Sequence, residues 1–260
     1  MTTTSAKLPC TAVVLLAGMV MASSAMAFQQ KTVGAATPSG ASPSHADQLE
    51  EAKNLTCLSG LEHMLPGIYY YCVGARDLAR GKGPRGMGML KIAASWGSKP
   101  AQFTMGVGYF NGGVVPRNRP LGLAWLGLAT ERHNPYIVAT FKSAWDKALP
   151  QERRQAQVLW KSLLPEYGDK RAARRAELRY DHDRMELVRN AVYGATVCIA
   201  GLTTTRLGGS PDPTDPHACT GSTPVMAAAK VADHYADALL DDWRGHVSIG
   251  AVQEVSAPRK

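Results

Sequence analysis

The sequence predicts a mainly α protein: a short α-solenoid of antiparallel helix pairs, followed by a small C-terminal segment of mixed α and β character. Within residues 48–190, runs with helical apolar spacing alternate with Gly- and Pro-rich breaks. Similar residues also recur 36 positions apart, as in Gly86 and Gly122 or Ala93 and Ala129. A period of this length is typical of stacked helix pairs.

The first 27 residues are typical of a secretory signal peptide. Lys7 precedes an apolar run, residues 11–22, that is too short to span a membrane. Small residues at Ala25 and Ala27 then favour cleavage before Phe28. We therefore expect export to the periplasm, or alternatively secretion, with no membrane span in the mature chain. An uncleaved membrane anchor is the other interpretation.

Helical elements follow a segment, residues 28–47, whose Gly, Ala, Ser, Pro and Thr content predicts a flexible tether. A first helix is expected from about Asp47, because Leu49, Ala52, Leu55 and Leu58 recur at three-residue spacing. Further helical runs are predicted over residues 68–80, 86–96, 101–110, 120–130, 136–149, 151–164 and 170–189.

The chain changes character after residue 190. Small and β-branched residues at 191–202 lead into a long Pro- and Gly-containing loop. An Ala-rich helix is predicted at 225–240, and alternation over 247–255 predicts a terminal strand. We treat 191–260 as a distinct segment.

Four cysteines remain once the signal peptide is removed, an even number that suits an oxidising compartment. Of the three pairings, Cys57–Cys72 and Cys198–Cys219 are favoured because each pair lies within one segment. A metal site formed by Cys198, Cys219 and His217 is the alternative, but no Cys-x-x-Cys is present. No metal and no cofactor are expected.

The positive charge is concentrated in one region of the chain. The formal net charge is +8, and residues 76–132 contain nine basic and two acidic residues. Arg85, Arg117 and Arg119 are therefore candidate contacts for an acidic protein partner. A merely solvated surface or anionic lipid are the alternatives, and nucleic acid is not expected for an exported protein.

Residues 86–133 resemble the Sel-one-like repeats, helix-turn-helix units of about 36 residues related to the tetratricopeptide repeats. Three positions depart from the family's pattern. Val114 stands where the family has a second loop glycine, Asn118 where it has an acidic residue, and Gly122 where it has an alanine in the second helix of the unit. The matching residues are Ala93, Ala94, Gly97, Ala101, Gln102, Gly106, Tyr109, Asn111, Gly112, Val115, Pro116, Trp125 and Ala129.

This resemblance implies structural roles for Gly106, Tyr109, Gly112, Trp125 and Ala129 in packing or turning the helices. It also implies that the first helix of each unit lines a concave surface that binds partners.

Aromatic residues of those first helices are the other partner-binding candidates: Tyr70, Phe103 and Phe110. Three consecutive tyrosines, residues 69–71, cannot all face inward, so one should be exposed. The alternative is that these aromatic side chains belong to the core.

Catalytic motifs are scarce. The chain has no Gly-x-Ser-x-Gly and no His-Glu-x-x-His, and Asp181, His182 and Asp183 are too close in sequence to share a helix face. We therefore predict a non-enzymatic protein-protein interaction module, the repeat scaffold or adaptor of a cell envelope. Its sharper form is an immunity protein that neutralises a secreted toxic effector. The alternatives are a cell-envelope hydrolase acting on β-lactam or peptidoglycan, or a purely structural envelope tether.

Overall fold

The computed structural model describes residues 50–189, 191, 194–200, 202 and 222–243. The predicted signal peptide, tether, long loop and terminal strand lie outside the described residues, as do Cys219 and His217.

The mainly α prediction is confirmed, and the described part of the C-terminal segment contributes one helix and a two-stranded antiparallel sheet. The helices are α1 (Leu61–Met64), α2 (Pro66–Ala79), α3 (Gly83–Ser95), α4 (Lys99–Asn111), α5 (Arg119–Ala129), α6 (Pro135–Asp146), α7 (Pro150–Tyr167), α8 (Ala172–Arg189) and α9 (Val225–Leu239), with a 3₁₀ turn at Thr130–Arg132; the strands are β1 (Thr196–Val197) and β2 (Thr223–Pro224).

Prolines and polar caps explain where the helices begin. Each helix from α2 to α7 has a proline in its first turn, where the missing N–H has no intrahelical partner to lose. Side-chain oxygens of Ser98, Asn118 and Asn134 accept backbone N–H groups of the helices that follow them. Local sequence therefore explains these helix starts, which lie up to three residues before the starts of the predicted runs.

Glycines let two helix pairs cross closely and in antiparallel orientation. A Cβ added to Gly86 of α3 would lie 3.0 Å from the carbonyl oxygen of Gly74 in α2. A Cβ added to Gly122 of α5 would lie 2.8 Å from the carbonyl oxygen of Gly106 in α4. Gly86 and Gly122, the residues that recur 36 positions apart, thus occupy equivalent crossings.

The residues assigned structural roles have the burial that such roles require. Ala129 is buried, and the ring of Trp125 lies 4.7 Å from that of Tyr167 in α7. Tyr109 is half-buried against the same cluster, and Gly112 has φ +80°, which favours glycine. The last pair is looser, because α7 packs more on α5 than on α6.

The C-terminal elements share a core with the first helices. Leu61 of α1 and Leu65, which precedes α2, pack with Tyr180 of α8 and Ala236 of α9 in one buried cluster. Strand β1 pairs with β2 through Thr196↔Pro224 and Val197↔Thr223. The helix predicted at 225–240 is confirmed as α9.

The prediction of a first helix that includes Leu55 and Leu58 is wrong. Among the described residues before α1, those at 50–53 are helical, and the chain is irregular from Leu55 to Leu58. Arginines at the end of α2 bind residues 53–55, since Arg76 Nη1 donates to the carbonyl of Leu55 and Arg80 Nε, just after the helix, to that of Lys53. These carbonyls are thereby satisfied outside a helix, so the apolar spacing reflects packing of an irregular segment.

A disulfide joins this segment to α2. Cys57 and Cys72 are bonded, with an S–S distance of 2.06 Å and Cα atoms 5.6 Å apart, as neighbour pairing predicts. Cys198 is also disulfide-bonded. Its expected partner lies outside the described residues.

Candidate partner-binding edge

One edge of the domain is formed by the connections within the three helix pairs. The turn between α2 and α3 contacts the turn between α4 and α5, which also contacts the connection between α6 and α7. A Cβ on Gly83 would lie 2.4 Å from the carbonyl oxygen of Val114, and Arg119 donates to the carbonyl of Lys147. We call residues 76–86, 111–120 and 146–154 the hairpin edge.

The hairpin edge is strongly basic. Its sequence holds nine cationic and three acidic residues, a formal excess of +6. Charges collected on one face attract an oppositely charged partner over distances comparable with the Debye length. The cations are Arg76, Arg80, Lys82, Arg85, Arg117, Arg119, Lys147, Arg153 and Arg154, and the acids are Asp77, Asp146 and Glu152.

Arg85 is committed to a neighbour inside the molecule. Its Nε lies 3.1 Å from Oδ2 of Asp77, a residue of α2 that is only 2% exposed. The contact is an ion pair that lacks hydrogen-bond geometry, since Oδ2 of Asp77 has no hydrogen-bond partner. Arg85 therefore neutralises a buried charge, although much of its own side chain remains exposed.

Arg119 packs on Phe110 inside the protein. The guanidinium of Arg119 lies 4.7 Å from the centre of the Phe110 ring and 3.2 Å from a carboxylate oxygen of Glu152. Phe110 itself is buried against α5, so its ring is not the exposed anchor that the sequence suggested. Both side chains hold α4, α5 and α7 together.

Arg117 differs from the other predicted arginines because it is exposed and has no ion-pair or hydrogen-bond partner among the described residues. It borders a shallow, open cleft of about 500 Å³. The lining residues are Arg117, Asn118, Arg119, Pro120, Glu152 and Gln155.

Tyr70 lies outside the hairpin edge. Nine residues separate it from Ala79 at the end of α2, so it is about 13 Å along the helix from the turn between α2 and α3. The hydroxyl of Tyr70 donates to Glu62 at 2.6 Å, and this hydrogen bond, helped by burial, raises the pKa of Tyr70 to about 12. Phe103 is half-buried, with its ring 5.6 Å from that of Tyr136. The six predicted partner contacts therefore do not form one surface.

Sequence reasoning missed a second cleft of about 500 Å³ beside Tyr70. It is bordered by Trp96, whose ring centre lies 5.1 Å from Arg175 and 5.2 Å from Arg179 of α8. The i, i+4 spacing of these arginines was the available signal. The charged groups that line the cleft have partners within the protein: Glu62 accepts a hydrogen bond from Tyr70, and His63 Nδ1 lies 2.8 Å from Asp183.

The opposite edge holds a buried polar network that the sequence reading also missed. Lys99 lies 3.2 Å from Asp169 and pairs with Glu131. Arg132 makes two hydrogen bonds to Asp169, at 2.9 and 3.0 Å. Two of the nine basic residues counted between 76 and 132 are thus buried and neutralised, so the surface excess there is smaller than predicted.

Gln102 completes this network, donating to the carbonyl of Tyr167 at 2.8 Å while accepting from Lys99 at 3.1 Å. Ion pairs therefore join three neighbouring connections: those between α3 and α4, between α5 and α6, and between α7 and α8. These contacts link the three connections to one another.

The residues weighed as catalytic candidates have ordinary surroundings. His182 is exposed on α8, and Asp183 faces His63. Within the described residues, no group of three or more His, Cys, Asp and Glu side chains is placed to hold a metal ion. None of the helices in the same part of the chain combines the length and apolar character needed to cross a bilayer.

Comparison with protein-family models, with curated proteins and with solved structures gives no match for this chain. The resemblance to Sel-one-like repeats accordingly stays a prediction from the residues.

Proposed function

We propose that this protein is an exported, non-enzymatic interaction module of the cell envelope, built from Sel-one-like helix pairs, that binds a protein partner through the hairpin edge. The supporting observation is the asymmetry of charge between the two edges. Cations on the hairpin edge outnumber acids by six, whereas Lys99 and Arg132 on the opposite edge are buried beside Glu131 and Asp169.

The partner that suits this edge is a protein with an acidic surface. Exposed cations accelerate encounter with such a surface and orient it, while contributing less to the final affinity. Association should therefore slow as ionic strength rises, because the Debye length falls from about 10 Å at 0.1 M salt to about 3 Å at 1 M.

The test is crosslinking in the native envelope with tagged protein, followed by mass spectrometry. Lys82, Arg117 and Arg154 are suitable for charge reversal because all three are exposed and have no described partner. Reversal of Arg85 or Arg119 would instead leave Asp77 or Glu152 unpaired.

The matched control reverses three exposed lysines outside the hairpin edge: Lys142, Lys161 and Lys170. One dominant protein partner that is lost with the edge variant and retained with the control supports the proposal. A partner captured equally by both variants contradicts it. Recovery of no protein, together with edge-dependent binding to anionic vesicles, would replace the protein partner with a lipid surface.

A sharper form of the proposal is an immunity protein whose partner is a secreted toxic enzyme. It draws on the role of exported members of the resembling family. Co-expression separates this form from a general scaffold: the protein should protect cells from its crosslinked partner, and the edge variant should not. A partner that is an envelope-assembly component would favour the scaffold.

A further inference from the structure

We propose that the cleft beside Arg117 is a carboxylate-binding site that receives a single Asp or Glu side chain of the partner. The inference rests on the proposed function and specifies its recognition chemistry. It follows from how Arg117 is positioned, from the state of the charges around it, and from the hydrogen-bond donors that line the cleft.

The backbone beneath Arg117 is held by the turn between α4 and α5. Gly112, with φ +80°, ends α4 and passes so close to Arg117 that a Cβ on the glycine would lie 3.1 Å from the arginine Cβ. The next residue, Asn118, donates its backbone N–H to the carbonyl of Tyr109 at 2.8 Å. The backbone is thus fixed while the guanidinium remains exposed.

The acid inside the cleft does not oppose an incoming carboxylate. Glu152 pairs with Arg119 at 3.2 Å through Oε2, and the same oxygen accepts the backbone N–H of Leu149 at 2.8 Å. Since Arg119 compensates Glu152, the unpaired charge of the cleft is that of Arg117. One unpaired cation suits one carboxylate better than a polyanion.

Amide groups beside Arg117 can complete the site. The side-chain oxygen of Asn118 accepts the N–H of Leu121 at 3.1 Å, so its NH₂ group is left to donate. Gln155 lies three residues after Glu152 on α7 and carries a second exposed amide at the cleft. A guanidinium fork flanked by amide donors matches the geometry of a carboxylate.

The test uses an amidated Gly-Ser peptide that carries a single Glu and a rhodamine label, and it measures binding to the purified protein by fluorescence anisotropy at low salt. Arg117→Ala should weaken binding by about tenfold or more, because hydrogen bonds to charged groups contribute more than exposed ion pairs do. Arg117→Lys should be only partly active, since it keeps the charge and loses the fork.

The matched control is Arg154→Ala, which removes the same charge from the same edge but outside the cleft. Its effect should be about twofold, as for a single exposed charge. Equal weakening by Arg117→Ala and Arg154→Ala would mean a diffuse basic field, which overturns the cleft while leaving the proposed function intact.

Two other outcomes separate the inferences. If the peptide fails to bind but crosslinking still recovers a partner through the hairpin edge, the carboxylate site is wrong and the interaction module stands. If peptide binding depends on Arg117 but no protein partner is recovered, the carboxylate site stands and the proposed function falls.

Discussion

Replacing Asp169 with Asn should destabilise the protein strongly. Asp169 is 7% exposed, accepts two hydrogen bonds from Arg132, and lies 3.2 Å from the ammonium group of Lys99. Asparagine keeps the shape but removes the negative charge, so two buried cations are left with Glu131 alone. Removing one partner of a buried ion pair typically costs about 3–5 kcal/mol.

The measurement is the free energy of unfolding from urea titration, followed by tryptophan fluorescence and far-ultraviolet circular dichroism. A loss of this size should also lower the melting temperature by roughly 6–20 °C for a chain of this length. Asp146→Asn is the matched control, because Asp146 is exposed on α6 and a surface change of this kind usually stays within about 0.5 kcal/mol.

A loss below about 1 kcal/mol for Asp169→Asn, close to that of the control, would refute the reasoning. It would mean that water or rearranged side chains satisfy Lys99 and Arg132 once the carboxylate is gone. The network would then contribute little to the stability of the fold.

Three further predictions concern packing, titration and the first disulfide. Gly122→Ala should lower the free energy of unfolding in urea, because its Cβ would lie 2.5 Å from the backbone nitrogen of Phe110. In the same assay Gly88→Ala should raise the free energy of unfolding by at most about 1 kcal/mol, because its Cβ would have no neighbour within 4 Å. In a spectrophotometric titration Tyr70 should ionise near pH 12, and Glu62→Gln should move its pKa toward 10. Since the folded pKa is the higher one, the stability contributed by Tyr70 is present below pH 10 and lost between pH 10 and 12; ionisation near pH 10 in the unmodified protein would contradict the hydrogen bond. Cys57→Ser opens a disulfide spanning 15 residues and should cost about 3 kcal/mol in urea denaturation, and an unchanged midpoint would show that the arginine contacts alone hold this segment.

Much of the helical architecture could be predicted because its causes are local. Prolines in the first turns and the caps Asn118 and Asn134 act within a few residues of themselves, so the sequence shows where helices begin. Gly86 and Gly122 were also recognisable, because a close helix crossing requires a small residue at a regular position. The spacing of Leu55 and Leu58 gave a wrong helix prediction because the cause there is not local. Arginines more than 20 residues away bind the carbonyls of Lys53 and Leu55.

The candidate site divides in the same way. Sequence alone identified a basic region and included Arg117 in it, because charge is a property of each residue. Only the tertiary structure decided which charges are available to a partner: Arg119 packs on Phe110 and pairs with Glu152, whereas Arg117 has no partner among the described residues. Pairing of this kind joins residues far apart in the chain, and it depends on distances that no sequence spacing encodes.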